Sequence, residues 1–122
     1  LDARACEDDV MADCLFCAIV AGDIPADVVL RTDSVVAFRD IDPKAPTHIL
    51  VVPTQHYADV GELSDQQPEL ASAVLQAAAE VARMENLDGY RLVFNTGAEA
   101  GQSVFHVHGH VLGGRPLNWP PG

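Results

Sequence analysis

The chain has 122 residues, a length suited to one domain, and 48% of them are hydrophobic, enough to bury a core rather than remain disordered. Its 18 Asp and Glu outnumber 7 Lys and Arg, giving a formal net charge of −11 that excludes binding driven by nucleic-acid phosphates or anionic lipid. No apolar run approaches the ~20 residues that span a bilayer.

Residues 1–13 are acidic, with Asp2, Glu7, Asp8, Asp9 and Asp13 against Arg4, and show no periodicity. They read as a mobile tail ahead of a single unit over 14–122. They hold no apolar stretch of the kind a secretory signal needs, so a cytoplasmic location is expected. The cysteines, Cys6, Cys14 and Cys17, are too few and odd in number for a disulfide scaffold. Cys14 and Cys17 form a C-x-x-C pair, which in an intracellular protein serves as metal ligands or as a redox pair.

Leu15 to Val20 places Phe16, Ile19 and Val20 at helical spacing, with Gly22 suited to the left-handed terminal position and Pro25 barring extension. Val28–Arg31 and Val35–Asp40 predict two strands joined by a turn at Asp33-Ser34. Asp42 to Pro46 is a loop, since two prolines do not sit in a paired strand. The β-branched run His48–Val52 predicts a buried strand ended by Pro53. Residues 64–87 predict one long helix, with Ser64 and Gln67 as a capping box or Pro68 as the true start, and Asn86 or Gly89 at the end. Its apolar stripe is Leu70, Val74, Ala77, Val81 and Met84. Tyr90–Asn95 and Val104–Leu112 complete the strands. Strands, helix, then strands with short links predicts an α+β fold: an antiparallel sheet of about five strands, one long helix and a short N-terminal helix.

The chemistry concentrates in His106-Val107-His108-Gly109-His110-Val111-Leu112. Alternation along a strand puts His106, His108 and His110 on one face, with Phe105, Val107 and Val111 facing the helix. Three imidazoles so spaced suit a polar strand facing water, a three-histidine catalytic zinc site, or a nucleophilic histidine with helpers.

This pattern resembles the histidine triad (HIT) family of nucleotide hydrolases and transferases. The resemblance covers residues 14 to 122 and takes in Ile24-Pro25, Ala37 to Ile41, Pro46 to Pro53, Asn95 and Gly101-Gln102-Ser103-Val104. The ending Gly113-Gly114-Arg115-Pro116-Leu117-Asn118-Trp119-Pro120-Pro121-Gly122 is similar to the Hint branch, whose members are homodimeric purine nucleotide phosphoramidases. Gly109 departs from the apolar residue usual there; it either loosens the strand or admits a close neighbour.

The resemblance implies His108 as the nucleophile, forming a nucleotidyl-histidine that water cleaves, with His110 touching a phosphate oxygen or protonating the departing group. A neutral imidazole near pH 7 is suited to attack on phosphorus. His48 reads either as a helper that hydrogen-bonds beside the triad or as a satisfied core histidine. With Arg91 the one Lys or Arg between Tyr90 and Leu112, the residues Gly97, Gly101, Gln102, Ser103 and Val104 read as an oxyanion site of main-chain N–H groups, with the Ser103 hydroxyl and the Asn95 and Gln102 amides, or else as an ordinary Gly-containing hairpin connection. The resemblance places the base among Phe16, Ile19, Ile24, Phe38 and Ile41, the ribose hydroxyls on Asp40, and Trp119 near the partner subunit's site. It implies structural Zn(2+) on Cys14, Cys17, His56 and His106. No phosphate-binding Gly-rich Mg-nucleotide motif is present. Dinucleoside polyphosphate hydrolysis, as in the Fhit-like branch, and nucleotide-dependent regulation with weak catalysis are the alternatives.

Overall fold

The computed structural model describes residues 14–122 and, ahead of them, the backbone of Arg4–Ala5. The rest of the acidic segment 1–13, expected to be a mobile tail, lies outside the described residues. The elements in chain order are β1 (Arg4–Ala5), α1 (Leu15–Ala21), β2 (Val28–Arg31), β3 (Val35–Arg39), β4 (Thr47–Pro53), β5 (Gln55–His56), α2 (Val60–Gln66), α3 (Pro68–Met84), β6 (Tyr90–Phe94) and β7 (Gly109–Gly113). A five-stranded sheet has the order β2-β3-β4-β7-β6, with every pair antiparallel, while β1 pairs with β5. This is the expected α+β architecture.

Both sheet faces are covered. On one, Val35, Ala37, Ile49, Val51 and Val111 meet Val74, Ala77, Ala78 and Val81 of α3, with Val107, Tyr57 and Leu63. On the other, Phe16 and Ile19 of α1 pack on Val36, Phe38, Leu50 and Val52. A strand sandwiched this way reads as a continuous apolar run, and all seven residues of β4 are buried.

The helix expected over 64–87 is two helices. Asp59 caps α2, its Oδ1 accepting from Glu62 N–H at 2.8 Å, while Glu62 Oε1 accepts from Ala58 N–H at 2.7 Å. The Ser64–Gln67 box does not form, because Ser64 lies inside α2 and its hydroxyl donates to Gly61 O at 3.1 Å. Gln67 breaks the helix with φ −140°, and Pro68 opens α3 with its fixed φ and its missing N–H. Asn86, at φ 55°, takes the left-handed position after the helix. Within the expected stripe Val74, Ala77 and Val81 are buried, while Met84 is exposed.

The strand expected over Val104–Leu112 begins only at Gly109. Its neighbours stop there: Gly109 pairs with Val51 and Phe94, and β6 ends at Phe94. Residues 103–108 have no ladder partner and are held singly, as where Val107 N–H donates to Tyr57 O at 2.7 Å. Phe105, expected beneath the helix, is half exposed; Val107 and Val111 do face α3. Gly109 admits a close neighbour: a Cβ there would stand 2.8 Å from Phe94 Cζ and 3.0 Å from Leu92 Cδ1.

Candidate active site and metal centre

Two clusters flank the 106–110 segment. In the first, Cys14 caps α1, its Sγ accepting from Cys17 N–H at 3.3 Å, so both sulfurs face the same way. Cys14 Sγ and Cys17 Sγ each lie 3.4 Å from His106 Nδ1, and Cys17 Sγ lies 3.3 Å from His56 Nδ1. All four donor atoms fall within 4.8 Å of one another. His106 Nε2–H donates to Pro53 O at 2.9 Å, which leaves the Nδ1 lone pair facing the sulfurs. The ring is fully buried, and burial pushes its pKa down to about 4, so it is the neutral ligand form. Bond lengths of about 2.3 Å to sulfur and about 2.0 Å to nitrogen place tetrahedral S···N edges near 3.5 Å. The two thiols and two imidazoles fit a metal ion held in a closed tetrahedral shell.

The second cluster carries the other two triad rings. His108 Nδ1–H donates to His106 O at 2.8 Å, so its Nε2 bears the lone pair, and Phe16 presents an edge contact at 4.8 Å between ring centroids. Burial lowers the His108 pKa despite that hydrogen bond. His110 Nδ1 lies 2.9 Å from His48 Nε2, and His48 Nδ1 accepts from Lys44 N–H at 3.0 Å. Asp40 Oδ2 sits 3.5 Å from His48 Nε2. Burial pushes His110 down to about 4, helped by His108 and His48, and lowers His48. A cavity of about 300 Å³ lies here, lined by Asp40, Lys44, His48, Val93, Asn95, His110 and Leu112. A larger cleft, about 810 Å³, bordered by 85–91 and 114–117, includes none of these histidines.

The three triad rings do not converge on one metal. His106 turns toward the cysteines, His108 toward a carbonyl and His110 toward His48, which argues against the three-histidine zinc reading.

The segment before the triad is braced from within. Gly97 and Gly101 take φ 88° and 100° around a 3-10 turn at Ala98–Ala100. The buried Gln102 amide accepts from Gly97 N–H at 2.9 Å and donates to Ala58 O at 2.7 Å and Val104 O at 3.1 Å. Its side chain therefore shapes the loop, while Ser103 stands exposed beside it and Asn95 lines the cavity. Gln102→Ala should lower stability by about 1–3 kcal/mol, since three partly buried main-chain groups lose their partner. Thermal unfolding checks this, and an unchanged Tm would show the brace to be idle.

Of the residues expected to hold a base, Phe16 and Ile19 of α1 are buried in the same cluster as Phe38 on the sheet, whereas Ile24 is exposed and Ile41 is 100% exposed. Trp119 is exposed, with Arg91 over its ring at 5.7 Å. The sequence reading missed the Lys44 main-chain amide, for which no side chain gives a signal, and the Ala58 carbonyl that anchors Gln102.

A family profile for the HIT domain matches residues 21–117. The purine nucleoside phosphoramidase of Escherichia coli is 44% identical over 105 residues, covering 84% of this chain and 88% of that protein. An uncharacterised HIT-like protein of Synechococcus elongatus is 46% identical over 111 residues, covering 90% and 97%. The crystal structure of a HIT family hydrolase from Legionella pneumophila superimposes with a TM-score of 0.87 at 48% identity, over 90% of this chain and 100% of that one. Profile, relatives and fold agree with the paired imidazoles and the Cys/His cluster: the chain belongs to the HIT domain family.

Proposed function

We propose that this HIT-family hydrolase cleaves the P–N bond of purine nucleoside 5′-phosphoramidates, or the related bond of acyl-nucleotides, through a nucleotidyl-His108 intermediate. The observation that carries the reading is the His108 Nδ1–H bond to His106 O, which leaves a buried Nε2 lone pair among the triad rings. The Escherichia coli phosphoramidase, at 44% identity, supports the substrate class.

The Nε2 pair of His108 attacks phosphorus, and the P–N bond breaks with its electrons leaving on the amine nitrogen, which also takes up a proton. Water then cleaves the His108–phosphorus bond and releases the nucleoside monophosphate. The Ser103 hydroxyl and the Val104 N–H face the phosphate, aided by Asn95, whereas the expected Gly101 and Gln102 N–H groups already donate to Ala98 O at 3.0 Å and Gly97 O at 3.1 Å. Asp40, on the cavity wall, accepts from the ribose hydroxyls, and the base lies against Phe16, Ile19, Ile24, Phe38 and Ile41. Cys14, Cys17, His56 and His106 would hold zinc, which there supplies a rigid tie between α1 and the residue whose carbonyl orients His108. We further assign residues 14–122 to one domain, the molecule to a cytoplasmic homodimer, and Trp119 to the neighbourhood of the partner subunit's site.

Incubation with adenosine 5′-phosphoramidate without added metal, followed by phosphorus NMR, should show AMP release. Release that needs added metal, or faster cleavage of diadenosine polyphosphates, would overturn the reading.

The histidines also set a pH dependence. Unfolded imidazoles bind protons near pH 6.5, whereas His110 in the fold does so at about 4 and His48 below its usual value. Between those pH values the unfolded chain binds more protons, so this stability is complete above 6.5 and drains away as pH falls toward 4. Tm should therefore hold level from pH 8 to about 7 and decline below about 6.5, measured by calorimetry across a buffer series.

A further inference from the structure

Two imidazoles and one amide beside the cavity form a chain whose proton positions are dictated from one end. The Lys44 main-chain N–H lies 3.0 Å from His48 Nδ1, and an amide N–H can only donate. His48 Nδ1 is therefore bare, and in the neutral ring the proton sits on Nε2. That Nε2–H points at His110 Nδ1, 2.9 Å away, which must accept. The proton of neutral His110 is thereby forced onto its Nε2. This nitrogen is buried and has no hydrogen-bond partner among the described residues, a costly state unless a ligand supplies the acceptor.

We propose that this relay, Lys44 amide to His48 to His110, holds His110 as a neutral Nε2–H donor aimed at a phosphoryl oxygen, with His48 as the positioning residue that sets its tautomer. The proposal rests on the reading that His108 attacks phosphorus, and it decides between the two roles open to His110. A neutral His110 that surrendered its Nε2 proton would become an imidazolate, since its Nδ1 only receives a hydrogen bond from another neutral ring. The proton for the departing amine therefore comes from another group, and His110 contributes a hydrogen bond to the charge building on phosphorus. Burial keeps both rings neutral, so the donor is present throughout the physiological range. The same relay argues against a cation on Asp40, His48 and His110, although their donor atoms lie within 4.8 Å of one another. Such a cation would need the lone pair of His48 Nε2, which would drive the proton onto Nδ1 against the Lys44 N–H.

Nitrogen NMR of ring-labelled, metal-loaded protein reads the tautomers directly. The wild type should show His110 and His48 each protonated on Nε2 and bare on Nδ1; a proton on His110 Nδ1 overturns the proposal. His48→Gln preserves the chain, because its carboxamide accepts from Lys44 and donates to His110. It should keep the His110 tautomer and kcat within about tenfold of wild type, whereas His48→Leu should release the tautomer and lower kcat by about 10²-fold with KM less changed. Equal kcat in the two variants, or an unmoved tautomer in His48→Leu, counts against it. If His48→Leu fails to fold, the wild-type spectrum and His48→Gln still decide. The tautomer measurement needs no turnover, so His108→Ala separates the two readings: a lost His110 tautomer there is not expected, even with phosphoramidase activity gone.

Discussion

Replacing His108 with alanine should lower kcat on adenosine 5′-phosphoramidate by at least about 10³-fold, because the nucleophile and the two-step route vanish together. His108 Nε2 is the triad lone pair left available by its neighbours: His106 Nδ1 faces the Cys14 and Cys17 sulfurs, and His110 Nδ1 receives His48. Loss of the ring also opens a void beside Phe16, so folding must be checked by circular dichroism before rates are compared. Rapid quench of the wild type, followed by peptide mass analysis, should place a nucleotidyl adduct on the peptide carrying His108, stable in base and lost in acid. His108→Ala turning over within about tenfold of wild type would end the covalent reading.

Cys17→Ser should remove bound zinc and most of the stability that comes with it. Cys17 Sγ approaches both His56 Nδ1 and His106 Nδ1, so its loss strips one of four ligands and leaves an incomplete shell. A metal held a thousandfold above its dissociation constant stabilises the folded state by about 4 kcal/mol. At about 4 °C or more per kcal/mol for a domain of this size, Tm should fall by roughly 15 °C. Metal analysis after gel filtration and thermal unfolding with and without a chelator are the measurements. A wild type that carries no zinc when purified from zinc-replete medium, or a Cys17→Ser protein with unchanged metal content, would remove the site. His106 links the two experiments, since its ring faces the cysteines while its carbonyl orients His108. Cys17→Ser should therefore also weaken turnover, though less than His108→Ala.

The triad was legible in the sequence because alternation survives even where the strand does not. Val107 and Val111 turn to α3, and His106, His108 and His110 turn away, although the ladder begins only at Gly109. The candidate metal ligands Cys14 and Cys17 were legible as a local pair, and the resemblance supplied His56 and His106; the fold then brought the four donor atoms within 4.8 Å of one another across gaps of up to 92 residues. Pro68, one of the two starts the sequence offers, opens α3, while the separate helix α2 has no signal in that reading because its cap at Asp59 lies outside the apolar stripe.

Periodicity, turn residues and motif spacing by themselves determined the fold class, the segment that carries the histidines, and the residue types gathered at the site. These are short-range properties, written in side chains a few positions apart. Tertiary structure decided what each imidazole does, because tautomers are set by groups remote in the chain or carried on the backbone. Pro53 O turns His106 toward the sulfurs, His106 O bares His108 Nε2, and the Lys44 amide, acting through His48, leaves His110 Nε2–H without a partner among the described residues. Main-chain amides and carbonyls are the same in every residue, so their direction becomes readable only once the chain has folded around them.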